Sequence, residues 1–190
     1  MKTIKTLLIG SVALAASAVS TYGEGLLGQR YASLSLGTDE DFNELAVSVG
    51  FNTKLKDGLD LYFEVGESDD GDVVAGMLDL KFYGDVGTEE NWKVYFAPIV
   101  GYASIDLTPW WNERELVYGV GIGSQYELDE KSNIDLTLSF LDTQDYGDLG
   151  VTGTFEYNYW LTEKLNAGVG VSYNTEVEET AFQISGRWAF

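Results

Sequence analysis

Histidine and cysteine, which carry much enzyme chemistry at neutral pH, are both absent from this 190-residue sequence. A Ser-His-Asp arrangement therefore cannot form. Neither can a thiolate metal site or a disulfide framework. The polar groups that recur at regular spacing are carboxylates with a few cations: Asp60, Glu64, Asp79, Lys81, Lys93, Asp135, Glu156 and Arg187. Two carboxylates such as Glu64 and Glu156 could divide acid and base roles if the fold brought them together. Carboxylates interleaved with lysine and arginine more often pair as ions, and pairing is the chemistry expected here. The stretch "ESDDGD" (67–72) is rich in oxygen ligands. It lacks the D-x-D-x-D-G spacing and distal glutamate of a calcium loop. No cofactor is implied.

Composition narrows the partners. There are 31 acids against 11 bases, a formal net charge of -20. Nucleic acid is excluded, because its phosphates would repel such a surface. Docking on an anionic membrane by charge alone is disfavoured for the same reason. Hydrophobic residues make up 45%, with 22 glycines, 12 tyrosines and only 2 prolines.

Residues 1–23 read as a signal peptide. Lys2 and Lys5 form a positive start, and the apolar run from Leu7 to Ala16 is too short to span a bilayer as a helix. Ala16-Ser17-Ala18 and Ala18-Val19-Ser20 offer cleavage between 18 and 23. Residues 24–190 then form one domain. Export without cysteine suits a bacterial envelope protein.

The elements that must position the charges show a period of two. Leu59, Leu61, Phe63 and Val65 alternate with Asp60, Tyr62, Glu64 and Gly66; Phe182, Ile184, Gly186 and Trp188 alternate with Gln183, Ser185 and Arg187. About ten such segments of roughly ten residues each, separated by turn-rich stretches, predict an all-β chain of ten strands. Eight remain if the first segment or the one holding Pro98 is not a strand. "YELDEKSN" from Tyr126 and "YWLTEKLN" from Tyr159 repeat in register, and "KLKDGLDL" at 54–61 is a looser copy. These read as equivalent strand-to-turn corners.

Volume decides which face is inside. One face carries Gly, Ser, Thr, Asn and charges, which cannot close-pack a dry core. Turned into a barrel lumen it is acceptable, and the apolar face then meets lipid. Only a closed sheet satisfies every backbone group in hydrocarbon. Aromatics on the apolar face fall near two levels. Phe51, Phe82, Trp92, Tyr126, Tyr157, Tyr159, Trp188 and Phe190 lie near one; Tyr102, Tyr118, Phe140, Tyr173 and Phe182 lie near the other. They are expected to be interfacial girdles.

The signal peptide, alternating strands, "YWLTEKLNAGVGVSYN" hairpin and aromatic end resemble small bacterial outer-membrane β-barrel proteins, OmpA-like or porin-like. The resemblance covers the whole mature chain. It implies a closed antiparallel up-and-down transmembrane barrel in the outer membrane, surrounded by lipid, with both termini in the periplasm. It also implies that "QISGRWAF" is a signal to the barrel-assembly machinery, carried by Gln183, Ser185, Trp188 and Phe190. The small residue of that pattern is Ser185, with Gly186 following.

On this topology five outer loops, about 38–43, 67–72, 104–115, 142–148 and 174–180, hold 16 acids and one base, Arg114. Four inner turns, about 54–58, 85–91, 127–132 and 162–164, hold eight acids and four bases. The acidic outer rim serves solubility or recruits divalent cations to bridge anionic headgroups. In "LTPWWNERE" (107–115), Trp110 and Trp111 could rest in the headgroup layer or bind a surface partner. Inside, opposite charges are expected to pair as a plug, since barrels this small are usually filled by side chains. The expected function is a non-enzymatic outer-membrane barrel serving envelope structure or surface interaction. The alternatives are a narrow cation-leaning channel and a soluble exported carrier.

Overall fold

The computed structural model describes residues 27–190 except 69–72, 109–110, 145–148 and 177. The expected signal peptide, residues 1–23, falls outside the described residues. The strands are β1 (Tyr31–Asp39), β2 (Leu45–Lys56), β3 (Leu59–Ser68), β4 (Val73–Val86), β5 (Glu89–Thr108), β6 (Trp111–Asp129), β7 (Ser132–Thr143), β8 (Gly150–Trp160), β9 (Leu165–Asn174) and β10 (Glu179–Ala189). Each pairs antiparallel with its sequence neighbours. β1 also pairs with β10, from Tyr31↔Ala189 to Asp39↔Ala181, and closes the barrel. The strand number is ten. Closure leaves no edge, so the ladder satisfies the backbone without water.

The alternation in the sequence becomes a partition between lumen and exterior. Tyr31, Ser33 and Ser35 are buried while Leu34 and Leu36 are exposed. On β3, Asp60, Tyr62 and Glu64 are buried while Phe63 and Val65 are exposed. Apolar side chains cover the outside and polar ones fill the inside. A soluble barrel carrying an apolar ligand would need the reverse.

Pro98 sits on the outer face of β5 and does not break the strand. It pairs with Val120 of β6. On its other side the β4 ladder runs to Asp79↔Ile99 and resumes at Phe82↔Phe96. The missing proline N–H interrupts one side of the ladder and leaves the register intact.

The hairpin of β5 and β6 departs from expectation. β5 has 20 residues and β6 has 19, about twice the expected length. Register pairs continue through Ser104↔Arg114 to Thr108↔Trp111. The stretch 104–115 is therefore mostly strand, because its polar residues still find backbone partners across the hairpin. The repeated segments are equivalent corners: both lie where an even-numbered strand, β6 or β8, runs into an inner turn, at 130–131 and 161–164.

Most expected girdle residues are exposed on the outer surface, including Phe51, Phe82, Trp92, Tyr126, Tyr102 and Phe182. Tyr157 and Phe140 are half-buried by their neighbours. Phe190 meets Phe51 with ring centroids 5.9 Å apart. At the other end Phe42 stacks on Phe182 at 6.2 Å, with planes 5° apart.

Candidate lumen site

The lumen charges form two hydrogen-bonded groups in the half of the barrel that holds the start of β1 and the end of β10. The first is built on β2, β3 and β4. Period-two spacing puts Asp60, Tyr62 and Glu64 on one face of β3, and register sets Tyr62 beside Asp79 and Asp60 beside Lys81 on β4. Glu64 accepts from the Tyr62 hydroxyl at 2.7 Å and from Ser48. Asp60 accepts from Asn52 Nδ2 at 3.1 Å and from the Gly28 amide at 2.7 Å. The Lys81 ammonium lies over the Tyr62 ring, 4.5 Å from its centroid, a cation–π contact.

The second group is built on β7 to β10. Arg187 Nη2 lies 2.5 Å from Glu156 Oε1, and its Nη1 donates to Asn166 at 3.0 Å and to Asn158. Ser185 donates to the same Glu156 oxygen at 2.9 Å. Asn158 passes the connection on to Asp135 at 3.1 Å. Tyr31 starts β1 between the two groups, opposite Ala189 of β10 and Asn52 of β2, with its ring 6.3 Å from that of Tyr62.

Small residues make room for these side chains. A β-carbon at Gly123 would collide with the Tyr95 ring and hydroxyl, so the ring lies across that glycine. Tyr95 then reaches Thr137 at 2.6 Å. Gly168 likewise leaves space for Glu156 and Ser185.

None of Asp60, Glu64, Asp79, Lys81, Asp135, Glu156 and Arg187 is more than 2% exposed. A lumen filled with water would leave such groups wet, so this level is a packed belt. Burying charge is costly unless each is paired and hydrogen-bonded; Arg187 and Glu156 are paired through Nη2 and Oε1, while Arg187 Nε and Glu156 Oε2 make no hydrogen bond. Among the described residues, six carboxylates (Asp60, Glu64, Asp79, Glu115, Asp135, Glu156) are buried against two cations, Lys81 and Arg187.

Lys93 differs from expectation. It leaves the belt and pairs with Glu127 at 3.1 Å near the periplasmic rim, with its side chain 23% exposed. Its position close to the end of the barrel lets the flexible stem reach water. Glu64 and Glu156 hold separate donor sets, so the contacts do not assemble an acid–base pair. Glu115, counted among the outer-loop acids, instead points inward from β6 and is buried. Its spacing of two from Val117 was the signal available in the sequence. Asn52, Asn158 and Asn166 were also missed, since a neutral amide on the inner face looks like any polar lining residue.

The remaining candidates lie at the edges. Gln183 and Ser185 face the lumen while Trp188 and Phe190 face outward. Trp110 lies outside the described residues, and Trp111 opens β6. No group of three or more acids is placed to hold a metal ion among the described residues; part of "ESDDGD" lies outside them. At the periplasmic end, Asp57 meets Lys54 at 2.6 Å, and this contact lowers the Asp57 carboxyl pKa. At the outer rim Glu179 is pushed up, by burial first and then by Glu44, Asp39 and Glu40.

No family model matches the sequence, and no curated protein matches it significantly. Solved structures do match the fold. The NanC porin superposes with a TM-score of 0.56 at 9% identity, over 84% of this chain and 100% of that one. The KdgM porin gives 0.54 at 9%, over 84% and 99%. The translocator domain of the autotransporter NalP from Neisseria meningitidis gives 0.51 at 10%, over 100% and 98%. With its closed ten-strand antiparallel sheet and apolar exterior, the chain has the fold of a transmembrane β-barrel.

Proposed function

We propose that this protein is a non-enzymatic outer-membrane barrel whose lumen is closed at rest, serving envelope structure or surface interaction through an acidic outer rim. The observation that carries the reading is the belt: charged side chains from β3, β4, β7, β8 and β10 are buried in the lumen, with Arg187 paired to Glu156 and other carboxylates held by neutral donors. Catalysis is left out because Glu64 and Glu156 are each occupied by structural donors. Planar-bilayer recording of the purified barrel tests the closure. A silent membrane is the expected result. Stable cation-selective steps from the unmodified protein would sink it.

One observation favours a second reading, a narrow cation pathway. The buried carboxylates outnumber the buried cations by six to two among the described residues. An opened lumen with that balance would attract cations and repel anions. Likeness in fold to the NanC and KdgM porins makes conduction a natural alternative.

A further inference from the structure

The segment Leu27–Arg30 enters the periplasmic mouth of the barrel before β1 begins. The Gly28 amide donates to Asp60, a lumen-facing carboxylate with 0% exposure, at 2.7 Å. Asn52, also lumen-facing, donates to the Gln29 carbonyl at 2.7 Å. The Arg30 carbonyl accepts from the Phe190 amide at 3.1 Å, which fixes the far end to the closing strand. Side chains that point into the lumen thus grip main-chain atoms of a segment outside the sheet. The backbone of the strap therefore lies against the inner rim of β2 and β3, beside the start of β1.

Gly28 is suited to this close approach. Its φ is +83°, a left-handed conformation that other residues adopt at a cost. A β-carbon there would stand 2.8 Å from the Tyr83 hydroxyl. Beside the strap lies a recess of about 610 Å³ lined by Gln29, Lys131, Trp160, Thr162 and Glu163 among others. Trp160 packs behind it against Tyr31, Tyr62 and Ala189, the seam where the two charge groups meet.

We propose that Leu27–Arg30 is a self-plug: it locks the charge belt from the periplasmic side, and its withdrawal lets small cations pass through the lumen. The inference rests on the closed-lumen reading and names how that closure is regulated. Asp60 serves both parts. It is a wall residue beside Lys81 and the anchor for the strap, so releasing the strap returns a carboxylate to water at the mouth of an acid-rich lumen.

The test changes the strap and leaves every belt side chain in place. Gly28→Pro removes the amide hydrogen that Asp60 accepts and cannot adopt the left-handed φ. Gly28→Val keeps the amide but collides with Tyr83, and serves as the second variant. The chain has no cysteine, so Gln29→Cys gives a unique site for a nitroxide label. The expected result is a label that becomes mobile in both variants, with cation-selective steps at voltages where the parent is silent. A mobile label with a silent bilayer overturns the plug. A label that stays immobile in both variants overturns the Gly28 anchor. Steps in the parent overturn the closed-lumen reading. If the Gly28 substitutions leave such steps unchanged, the plug falls too; if they increase them, the strap remains a gate.

Discussion

Arg187 and Glu156 meet at 2.5 Å inside the barrel, and neither is more than 2% exposed. Glu156 projects from β8 and Arg187 from β10, so the contact spans β9 and clamps three strands beside the closing seam. Removing one partner leaves a buried charge uncompensated. Arg187→Ala is expected to lower unfolding stability by about 3–5 kcal/mol, measured by urea titration in lipid vesicles. Glu156→Leu with Arg187→Met should cost far less than the single change. Equal losses would mean that the pair is not a coupled unit.

Tyr95 lies over Gly123, with no room for a β-carbon. Gly123→Ala should cost about 1–3 kcal/mol by overpacking. Tyr95→Ala in the same chain removes the obstacle, so the double variant should fall short of the summed single losses. Strict additivity in that cycle would show that the ring and the glycine do not constrain each other.

The outer rim should respond to pH in one direction. Glu179, three residues above the girdle ring of Phe182, is pushed above the ordinary value of 4.5 by burial and by Glu44, Asp39 and Glu40. Its folded pKa exceeds its unfolded one, so between the two values the folded state binds more protons. This contribution to stability therefore rises as pH falls through that window. The group is mostly solvated, so the effect should stay under about 1 kcal/mol. Glu179→Gln should flatten this part of the stability profile. A profile unchanged by the substitution would remove Glu179 as its source.

Phe190 contributes a lipid-facing ring against Phe51 and a backbone amide to Arg30. Phe190→Ala keeps the amide and should cost about 0.5–1.5 kcal/mol in the folded barrel. A role as the assembly signal predicts more: a low yield of heat-modifiable barrel in cells, while refolding from urea into detergent proceeds normally. Normal insertion in cells would reject the signal role.

Much of the fold was legible because a transmembrane strand writes its two environments into alternate residues. Leu59 to Glu64 reads as out and in without any knowledge of neighbours. The length of the β5–β6 hairpin was not legible, since "LTPWWNERE" has the polar, proline-containing composition of a loop. Its residues pair because a long hairpin supplies a register that composition does not reveal. Lys93 could not be placed either. Alternation gives its face, but whether its stem ends in the belt or at the rim depends on height along the barrel.

By itself the sequence determined the class: ten alternating segments, an apolar exterior, an acid-rich interior, and no histidine or cysteine for the commonest catalytic chemistry. Alternation is a local property, fixed by the two-residue repeat of an extended chain. Tertiary structure decided who meets whom. Arg187 and Glu156 are 31 residues apart, and Gly28 and Asp60 are 32 apart. Such pairs exist only once strand register and barrel closure set every strand's height. Whether a charged lumen is packed or open is a property of those meetings, which is why the closed belt and its strap emerge only in the folded barrel.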